Sequence, residues 1–320
     1  MNQIVERIER EAGVPGLVFI LAERLAPTDL QSILLEVYRL RSRQLHPAAV
    51  LSHYETNRFV RPSTLSPAQL LSWEQVAFSQ LPPEFKALAL SPVCPLGANS
   101  VVASVDQDWA VATARNTEVV SDSTNVLALE CAVRRRALLR SNPRSTDAVH
   151  LAASHRLLRA QHYTSPHLVA HFSAFALCSA GRGQGRLQFE LSALGLHIRF
   201  YLRALRAFLG SGVPLHVSVT SFDRNAREEL LETQLLSPIG SEFQNVACAI
   251  DDQRTRGRGY YCDLCFHIHV TASSGQRLEL VDGGSVDWTQ AYLSNAKERL
   301  VISGLGSERL CQEFVGATAL

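Results

Sequence analysis

The spacing of apolar residues changes at about residue 85 of the chain. Before that point apolar positions recur every three or four residues, as on one face of a helix, notably over Leu30–Arg43. Ser66 followed by Pro67 is typical of a helix start, and the pattern after it continues to about Ser79. We therefore predict an N-terminal helical element over residues 1–60, followed by a core over residues 61–320.

After residue 85, short apolar runs typical of strands lie in clusters between longer helical patterns. The predicted strands are Ala87–Leu90, Val101–Val105, Trp109–Thr113, Val119–Val120, Leu168–Cys178, Val213–Thr220, Gly259–Val270 and Arg277–Val281. The predicted helices are Thr124–Leu139, Phe189–Leu209, Asn225–Leu236 and a last one from about Ser307. Strands and helices do not alternate regularly, which favours an α+β domain around an antiparallel sheet over a parallel βαβ fold.

Composition and charge exclude several classes of protein. Of the 320 residues, 46% are hydrophobic and 19% charged, as in a globular chain with a substantial core. Lys and Arg number 31 against 30 Asp and Glu, which argues against a strongly basic nucleic-acid-binding domain and leaves only a local patch around Arg134, Arg135 and Arg136. The apolar run at residues 14–21 is too short to span a bilayer, and nothing resembles a signal peptide. Seven dispersed cysteines fit reduced thiols in the cytoplasm or an organellar matrix.

The stretch from Arg256 to Val270 contains a Cys-x-x-Cys and a His-x-His, residue types that bind metals. In a strand over Tyr260–Val270, Cys262 and Cys265 point to opposite faces, whereas a zinc site needs both thiolates on a tight turn. A redox Cys-x-x-Cys would open a helix. We therefore predict a buried strand with no metal, in which His267 and His269 are ordinary solvent-facing residues.

The start of the same stretch, Arg256-Gly257-Arg258-Gly259-Tyr260-Tyr261, is similar to the Arg-Gly-Leu-Asp-Tyr-Tyr motif of histidyl-tRNA synthetase. Further segments resemble motifs of that family in the same order along the chain: residues 119–124 (Leu-Arg-Pro-Glu-Gly-Thr), residues 155–161 with 171–172 (motif 2), residues 282–287 (Gly-Gly-Arg-Tyr-Asp) and residues 303–310 (motif 3). The resemblance implies a class II aminoacyl-tRNA synthetase-like antiparallel sheet flanked by helices, and a homodimer.

The family chemistry implied by the resemblance is formation of an adenylate from ATP, with Mg²⁺, and an amino acid or small carboxylate. Arg159 matches the motif 2 arginine at the α-phosphate, Arg309 the motif 3 arginine at the γ-phosphate, and Arg256 the arginine that stabilises charge during attack. The remaining implied site residues are Gln161 beside the nucleotide, Asp122 for the substrate amino group, and Thr124, Tyr260, Tyr261 and Cys178 around the substrate.

Each of these residues also has a simpler interpretation. Asp122 fits the N-cap of the helix from Thr124, and Cys178 fits the core. Arg159 and Arg309 fit surface positions, and Arg256 with Gly257 fits a plain turn.

The sequence departs from the family where histidine and tRNA would be recognised. Residues 162–170 contain no Arg or Lys, and Ala174 and Cys178 stand where the family has the glutamine and glutamate that read the imidazole. A short insertion at about residues 221–255 and an end at Leu320 leave no anticodon-binding domain, so binding of a tRNA anticodon and charging of histidine tRNA are not expected.

Two functions remain open. One is ATP-dependent activation of an amino acid or small carboxylate for a non-standard acceptor. The other is a catalytically silent subunit with a protein partner, resembling the histidyl-synthetase-like regulatory subunit of ATP phosphoribosyltransferase in histidine biosynthesis.

Overall fold

The computed structural model describes residues 3–103, 105–161, 170–223, 227–272 and 275–314. The helices are α1 (Gln3–Ala12), α2 (Leu17–Phe19), α3 (Pro27–Ser42), α4 (Pro47–Thr56), α5 (Pro67–Ser79), α6 (Ser123–Ser141), α7 (Gln188–Leu209), α8 (Glu228–Leu231), α9 (Ser237–Glu242), α10 (Trp288–Leu293) and α11 (Ser307–Phe314). Wider, π-helical turns follow α2 and α8. The strands are β1 (Phe85–Ala87), β2 (Val93–Pro95), β3 (Thr117–Val119), β4 (Val149–Leu158), β5 (His171–Arg182), β6 (Leu215–Ser221), β7 (Val246–Ile250), β8 (Leu264–Thr271), β9 (Arg277–Val286) and β10 (Glu298–Gly306).

Eight of these strands form one sheet, in the order β1-β4-β5-β10-β9-β8-β6-β7. The outermost pairs, β1 with β4 and β6 with β7, are parallel, and all the pairs between them are antiparallel. Strands β2 and β3 form a separate small sheet. The prediction of an α+β fold around an antiparallel sheet flanked by helices is confirmed.

The two faces of the large sheet are covered differently. Helix α7 packs on one face because its apolar residues, including Leu194, Ile198 and Leu205, recur at helical spacing and are fully buried. Helix α6 packs on the other face through Leu127 and Cys131. Because α6 covers only part of its face, the centre of the sheet remains open on that side, where the candidate site lies.

The N-terminal helices contribute little to this core. None of the described residues of α1 to α4 is buried, whereas α5 buries Trp73 and Ala77. The indole Nε1 of Trp73 donates a hydrogen bond to Ser307 Oγ at 3.0 Å, which joins α5 to the start of α11. Among the described residues, no helix is both long and apolar enough to cross a membrane.

Several predicted strands are wrong. The run at Ala87 belongs to a strand that ends there, and residues 101–103 form a turn, while residue 104 lies outside the described residues. In the predicted strand Trp109–Thr113, Trp109 ends a 3₁₀ turn and Ala112 forms an isolated antiparallel bridge to Glu118. Short apolar runs do not distinguish strands from buried loops by periodicity alone, and Val102 and Ala103 pack against the core without joining a ladder. Strands β2, β4, β7 and β10 were not predicted.

Strand β8 begins at Leu264 rather than Gly259. The preceding residues form turns in which Gly257 and Gly259 have φ of 89° and 86°, values that favour glycine and interrupt a strand. The residues predicted to turn between β8 and β9 include two, 273 and 274, that lie outside the described residues.

Candidate active site

A pocket of about 280 Å³ lies at the centre of the sheet, on the face opposite α7. Its floor consists of β5 and β10, including Ala174, Ala176 and Ile302, and the start of α6 and the turns before β8 form its walls. We call it the central pocket. Of the residues predicted from the sequence, it brings together Asp122, Thr124, Arg159, Arg256, Tyr260 and Tyr261.

Asp122 and Arg159 form an ion pair in this pocket. Asp122 is the N-cap of α6, and its Oδ1 accepts hydrogen bonds from the backbone N–H and the hydroxyl of Thr124, at 2.9 and 2.8 Å. Its Oδ2 accepts from Arg159 Nη2 at 3.1 Å, and Arg159 Nε donates to the carbonyl of Ser121 at 2.9 Å. The capping interpretation of Asp122 is therefore correct, but its second oxygen and part of Arg159 remain available to a ligand, since their side chains are 29% and 35% exposed.

Arg256 reaches the pocket from the turns between β7 and β8. Its side chain is 79% exposed, and Nη1 lies 3.6 Å from Glu279 Oε2. Arg254, which was not predicted as a site residue, stabilises this loop. Its Nε donates a hydrogen bond to the carbonyl of Arg256 at 2.8 Å, and its Nη2 donates one to Asp282 at 3.0 Å. A buried arginine two residues before Arg256 gives no distinguishing signal in the sequence, because its burial depends on the fold of the loop.

Tyr260 and Tyr261 form the wall below Arg256. Their rings meet edge to face at 5.0 Å, and Tyr260 also contacts Trp288 at 5.7 Å. Burial raises the pKa of both phenols well above the ordinary value, so both are neutral hydrogen-bonding groups at physiological pH. A side chain at Gly257 would place its Cβ 2.9 Å from the Tyr261 ring, which is why glycine is needed there in addition to its positive φ.

Asp282 and Glu279 were not predicted as site residues, yet both line the pocket. Burial alone would raise the pKa of Asp282, but the imidazole of His267 and the guanidinium of Arg254 hold it below its ordinary value. Asp282 is therefore a permanent anion at neutral pH.

Three predicted site residues lie outside the pocket lining. Arg309 is exposed on α11. The backbone carbonyl of Gln161 accepts a hydrogen bond from Arg58 Nη1 at 2.9 Å. Cys178 is fully buried, with Sγ 3.6 Å from the Thr124 carbonyl, and burial raises the pKa of its thiol. Residues 162–169, the loop after Gln161, lie outside the described residues.

The two cysteines of the Cys-x-x-Cys lie in different surroundings. Cys262 is exposed in the loop before β8, whereas Cys265 is buried against the α6 side of the sheet, and both thiols are free. His267 differs from the prediction, because it is buried rather than facing solvent, whereas His269 is partly exposed. Nitrogens of His267 and His269 and a carboxylate oxygen of Glu279 lie within 4.8 Å of one another.

Comparison with known proteins rests on structure alone. No protein-family model matches the sequence. No curated protein matches it either. The fold is similar to that of an ATP phosphoribosyltransferase regulatory subunit/histidyl-tRNA synthetase from Bacillus halodurans, with a TM-score of 0.56, 14% identity, and coverage of 80% of this chain and 82% of that one. It is similar to the same degree to apo histidyl-tRNA synthetase of S. aureus, with a TM-score of 0.56, 14% identity, and coverage of 80% and 70% of the two chains.

These similarities and the sheet order agree with the sequence motifs, which lie on the strands and turns around the central pocket. The chain therefore has a class II aminoacyl-tRNA synthetase-type fold, of the form found in histidyl-tRNA synthetase and its regulatory-subunit relative.

Proposed function

We propose that this protein is a histidyl-tRNA synthetase-like paralogue that binds an amino acid or another small carboxylate in the central pocket and activates it as an adenylate, with ATP and Mg²⁺, for an acceptor other than histidine tRNA. The observation that carries the proposal is the convergence of Asp122, Arg159 and Arg256 on one pocket. These residues come from three distant segments, and adenylation needs a carboxylate for an ammonium group and guanidinium groups around a phosphorus.

The Asp122–Arg159 pair suits a ligand that carries both charges. An ammonium group at Asp122 Oδ2 and an acidic group at Arg159 would replace one partly exposed ion pair by two charge-assisted hydrogen bonds. Ser123 supports a polar ligand at this point, because it lines the pocket and its buried Oγ has no hydrogen-bond partner among the described residues.

The rest of the pocket wall offers groups that support the binding of ATP. Arg159 and Arg256 supply cationic groups for phosphate oxygens, and Gly304 leaves the backbone of β10 uncovered, since nothing lies within 4 Å of where its Cβ would be. When bound, ATP supplies the adenylyl group: a carboxylate oxygen of the substrate attacks the α-phosphorus and pyrophosphate leaves. Arg256 and Arg159 would stabilise the negative charge that develops on the phosphate oxygens.

The floor of the pocket argues against histidine as the substrate. Ala174, Ala176 and Ile302 offer no side-chain donor or acceptor to an imidazole, and Cys178 lies beneath Thr124 outside the lining. The polar groups of the pocket lie elsewhere in its lining, and an apolar floor does not select a polar side chain over an apolar one of similar size. We therefore propose a substrate with a small or apolar side chain.

The test is pyrophosphate–ATP exchange screened across proteinogenic and non-proteinogenic acids. We expect exchange with one small group of acids, and a loss of about 100-fold or more in Arg256→Ala, the effect of removing a charge-stabilising donor. Arg258→Ala is the matched control, because Arg258 lies in the same loop but packs over Phe222, 5.1 Å away, and does not line the pocket. Absence of exchange with every acid, together with no ATP binding by calorimetry, would contradict the proposal.

A catalytically silent subunit is the second candidate, and the position of Arg309 favours it. This arginine, which resembles the motif 3 arginine, does not line the pocket, so two rather than three of the matching arginines do. The regulatory-subunit relative supports a protein partner for the chain. Copurification with a phosphoribosyltransferase whose activity is lost without this chain would decide for this candidate. Both candidates carry the proposal of a homodimer in the cytoplasm or an organellar matrix, which sedimentation and fractionation test.

A further inference from the structure

A β-bulge brings four titratable side chains onto one face of β8 and β9. His267 pairs with Asp282 and Ile268 with Val281, but His269 pairs with Glu279, so Leu280 is the extra residue in β9. Leu280 and Val281 both lie in the apolar core on the α7 side. Glu279 and Asp282, three positions apart, would face opposite sides of a regular strand, and the bulge places them on the same side as the two histidines.

His267 has a nitrogen without a hydrogen bond at the centre of this group. Its side chain is 8% exposed, and Nε2 is buried and makes no geometrically well-formed hydrogen bond among the described residues. That nitrogen lies 3.2 Å from Asp282 Oδ1 and 3.6 Å from Glu279 Oε1, without a well-formed hydrogen bond to either. A buried imidazole nitrogen beside two carboxylates, with no well-formed hydrogen bond to either, is free to bind a cation that the carboxylates also attract.

The separations suit a small cation. One ligand atom each from His267, His269 and Glu279 fall within 4.8 Å of one another. Bonds of about 2.1 Å in a tetrahedral site place ligand atoms about 3.4 Å apart. Side-chain rotations that move the ligand atoms by about 1 Å would therefore bring them to coordination distance. Two imidazoles and a carboxylate are the donors of catalytic zinc sites and of related first-row metal sites, whereas Mg²⁺ prefers oxygen ligands alone.

The neighbouring charges leave these three groups available. Arg254 is engaged by Asp282 at 3.0 Å, and Arg256 is 3.6 Å from Glu279 and largely exposed, so it can turn away. Arg277 lies 3.3 Å from His269 Nδ1 but makes its shorter bond, 2.7 Å, to His216. Asp282 remains beside His267 and offsets part of the cation's charge.

We propose that His267, His269 and Glu279 bind one divalent first-row transition metal ion, with Zn²⁺ as the preferred ion. Glu279 lines the central pocket, so the ion lies at the pocket wall with its remaining coordination position available to water or to an oxygen or nitrogen of a pocket ligand. The site is independent of adenylation, because it rests on the bulge and the unpartnered imidazole rather than on the arginines.

The experiment is titration of the chelator-treated full chain with Zn²⁺, in competition with a chromophoric chelator, and with Co²⁺, followed by visible absorption. We expect one equivalent of either ion to bind, and about tenfold or greater weakening in His267→Gln and Glu279→Gln, since even loss of a group that supports a metal ligand costs tenfold or more. Millimolar Mg²⁺ should not displace Co²⁺. His155→Gln is the matched control. The Nε2 of His155 is also buried without a hydrogen bond among the described residues, but His155 belongs to β4, away from His267, His269 and Glu279. The metal affinity of this variant should therefore equal that of the parent chain.

Zinc K-edge absorption of the unsubstituted chain keeps the test valid if a variant fails to fold. Two imidazoles with oxygen, and no sulfur, support the proposal. Sulfur ligands, binding below about 0.1 equivalent, or unchanged affinity in a folded His267→Gln chain would overturn it. Because pyrophosphate exchange is measured separately, its absence would not affect this outcome.

Discussion

The fold contains two arginine–carboxylate pairs that differ in hydrogen bonding and exposure. One lies in the closed interior and the other in the central pocket. In the interior, Arg135 and Glu298 are both fully buried and joined by two hydrogen bonds of 2.7 and 2.9 Å, and Arg135 also donates to the carbonyls of Ser145 and Asp147. In the pocket, Asp122 and Arg159 share one bond of 3.1 Å and are about a third exposed.

The difference separates structural from ligand-binding charges. A buried ion pair with all its donors used stabilises the fold only while both partners are present, and it offers nothing to a ligand. A half-exposed pair contributes little stability and keeps free hydrogen-bonding capacity. Changes in the interior should therefore alter stability, and changes in the pocket should alter binding.

The largest expected effect is in the interior. Glu298→Gln leaves the Arg135 guanidinium buried without its counter-charge, and should lower the free energy of unfolding by about 3–5 kcal/mol in denaturant titrations. Glu130→Gln, which removes an exposed pair with Arg134, should cost less than about 1 kcal/mol. Equal losses in the two variants would show that burial does not set the contribution of these pairs.

His197 provides a pH-dependent test of the same interior. It is fully buried between Ser179 and Ser303, which lie 2.8 and 2.7 Å from its ring nitrogens, and burial, with a smaller effect of His150, lowers its pKa to about 3. The imidazole of His197 takes up a proton near pH 6.5 in the unfolded chain but only near pH 3 in the folded chain. The stability that neutral His197 contributes to the fold is therefore complete above pH 6.5 and is lost as the pH falls toward 3.

The slope of this loss is at most about 1.4 kcal/mol per pH unit. Chemical denaturation of the parent chain and of His197→Gln, at several pH values between 7.5 and 4, measures it, since titrating groups that do not interact with His197 cancel in the difference and His150 has only the smaller effect. Parallel stability curves for the two chains would contradict the assignment.

The smallest expected change in stability is at the pocket, in Asp122→Asn. Asparagine caps a helix about as well as aspartate, so the free energy of unfolding should change by less than about 0.5 kcal/mol, whereas Asp122→Ala should cost about 1 kcal/mol. Both variants should lose tenfold or more in affinity for an ammonium-bearing ligand, measured by calorimetry with the acid found in the exchange screen. Retained affinity in Asp122→Asn would show that Asp122 only caps α6.

The sequence predicted the elements with strong local signals. Helix α7 follows a long apolar period, α5 starts at a Ser-Pro pair, and the alternation in β8 correctly assigned Phe266 and Ile268 to one face and Cys265 to the other. The region between residues 87 and 113 was predicted poorly, because Val102 and Ala103 pack against the core from a turn, while the short strand β2 at Val93–Pro95 was missed.

The sequence by itself determined the fold class and the group of motifs that meets at the central pocket, because the apolar periodicity and the order of the motifs can be read directly along the chain. Only the tertiary structure decided which charges are structural. Arg135 stands between two other arginines in the sequence, and only its position on the inner side of α6, opposite Glu298, makes it a buried partner rather than part of a basic patch. Likewise, the bulge in β9 is set by pairing with β8, so only the fold could place Glu279 beside His267 and His269.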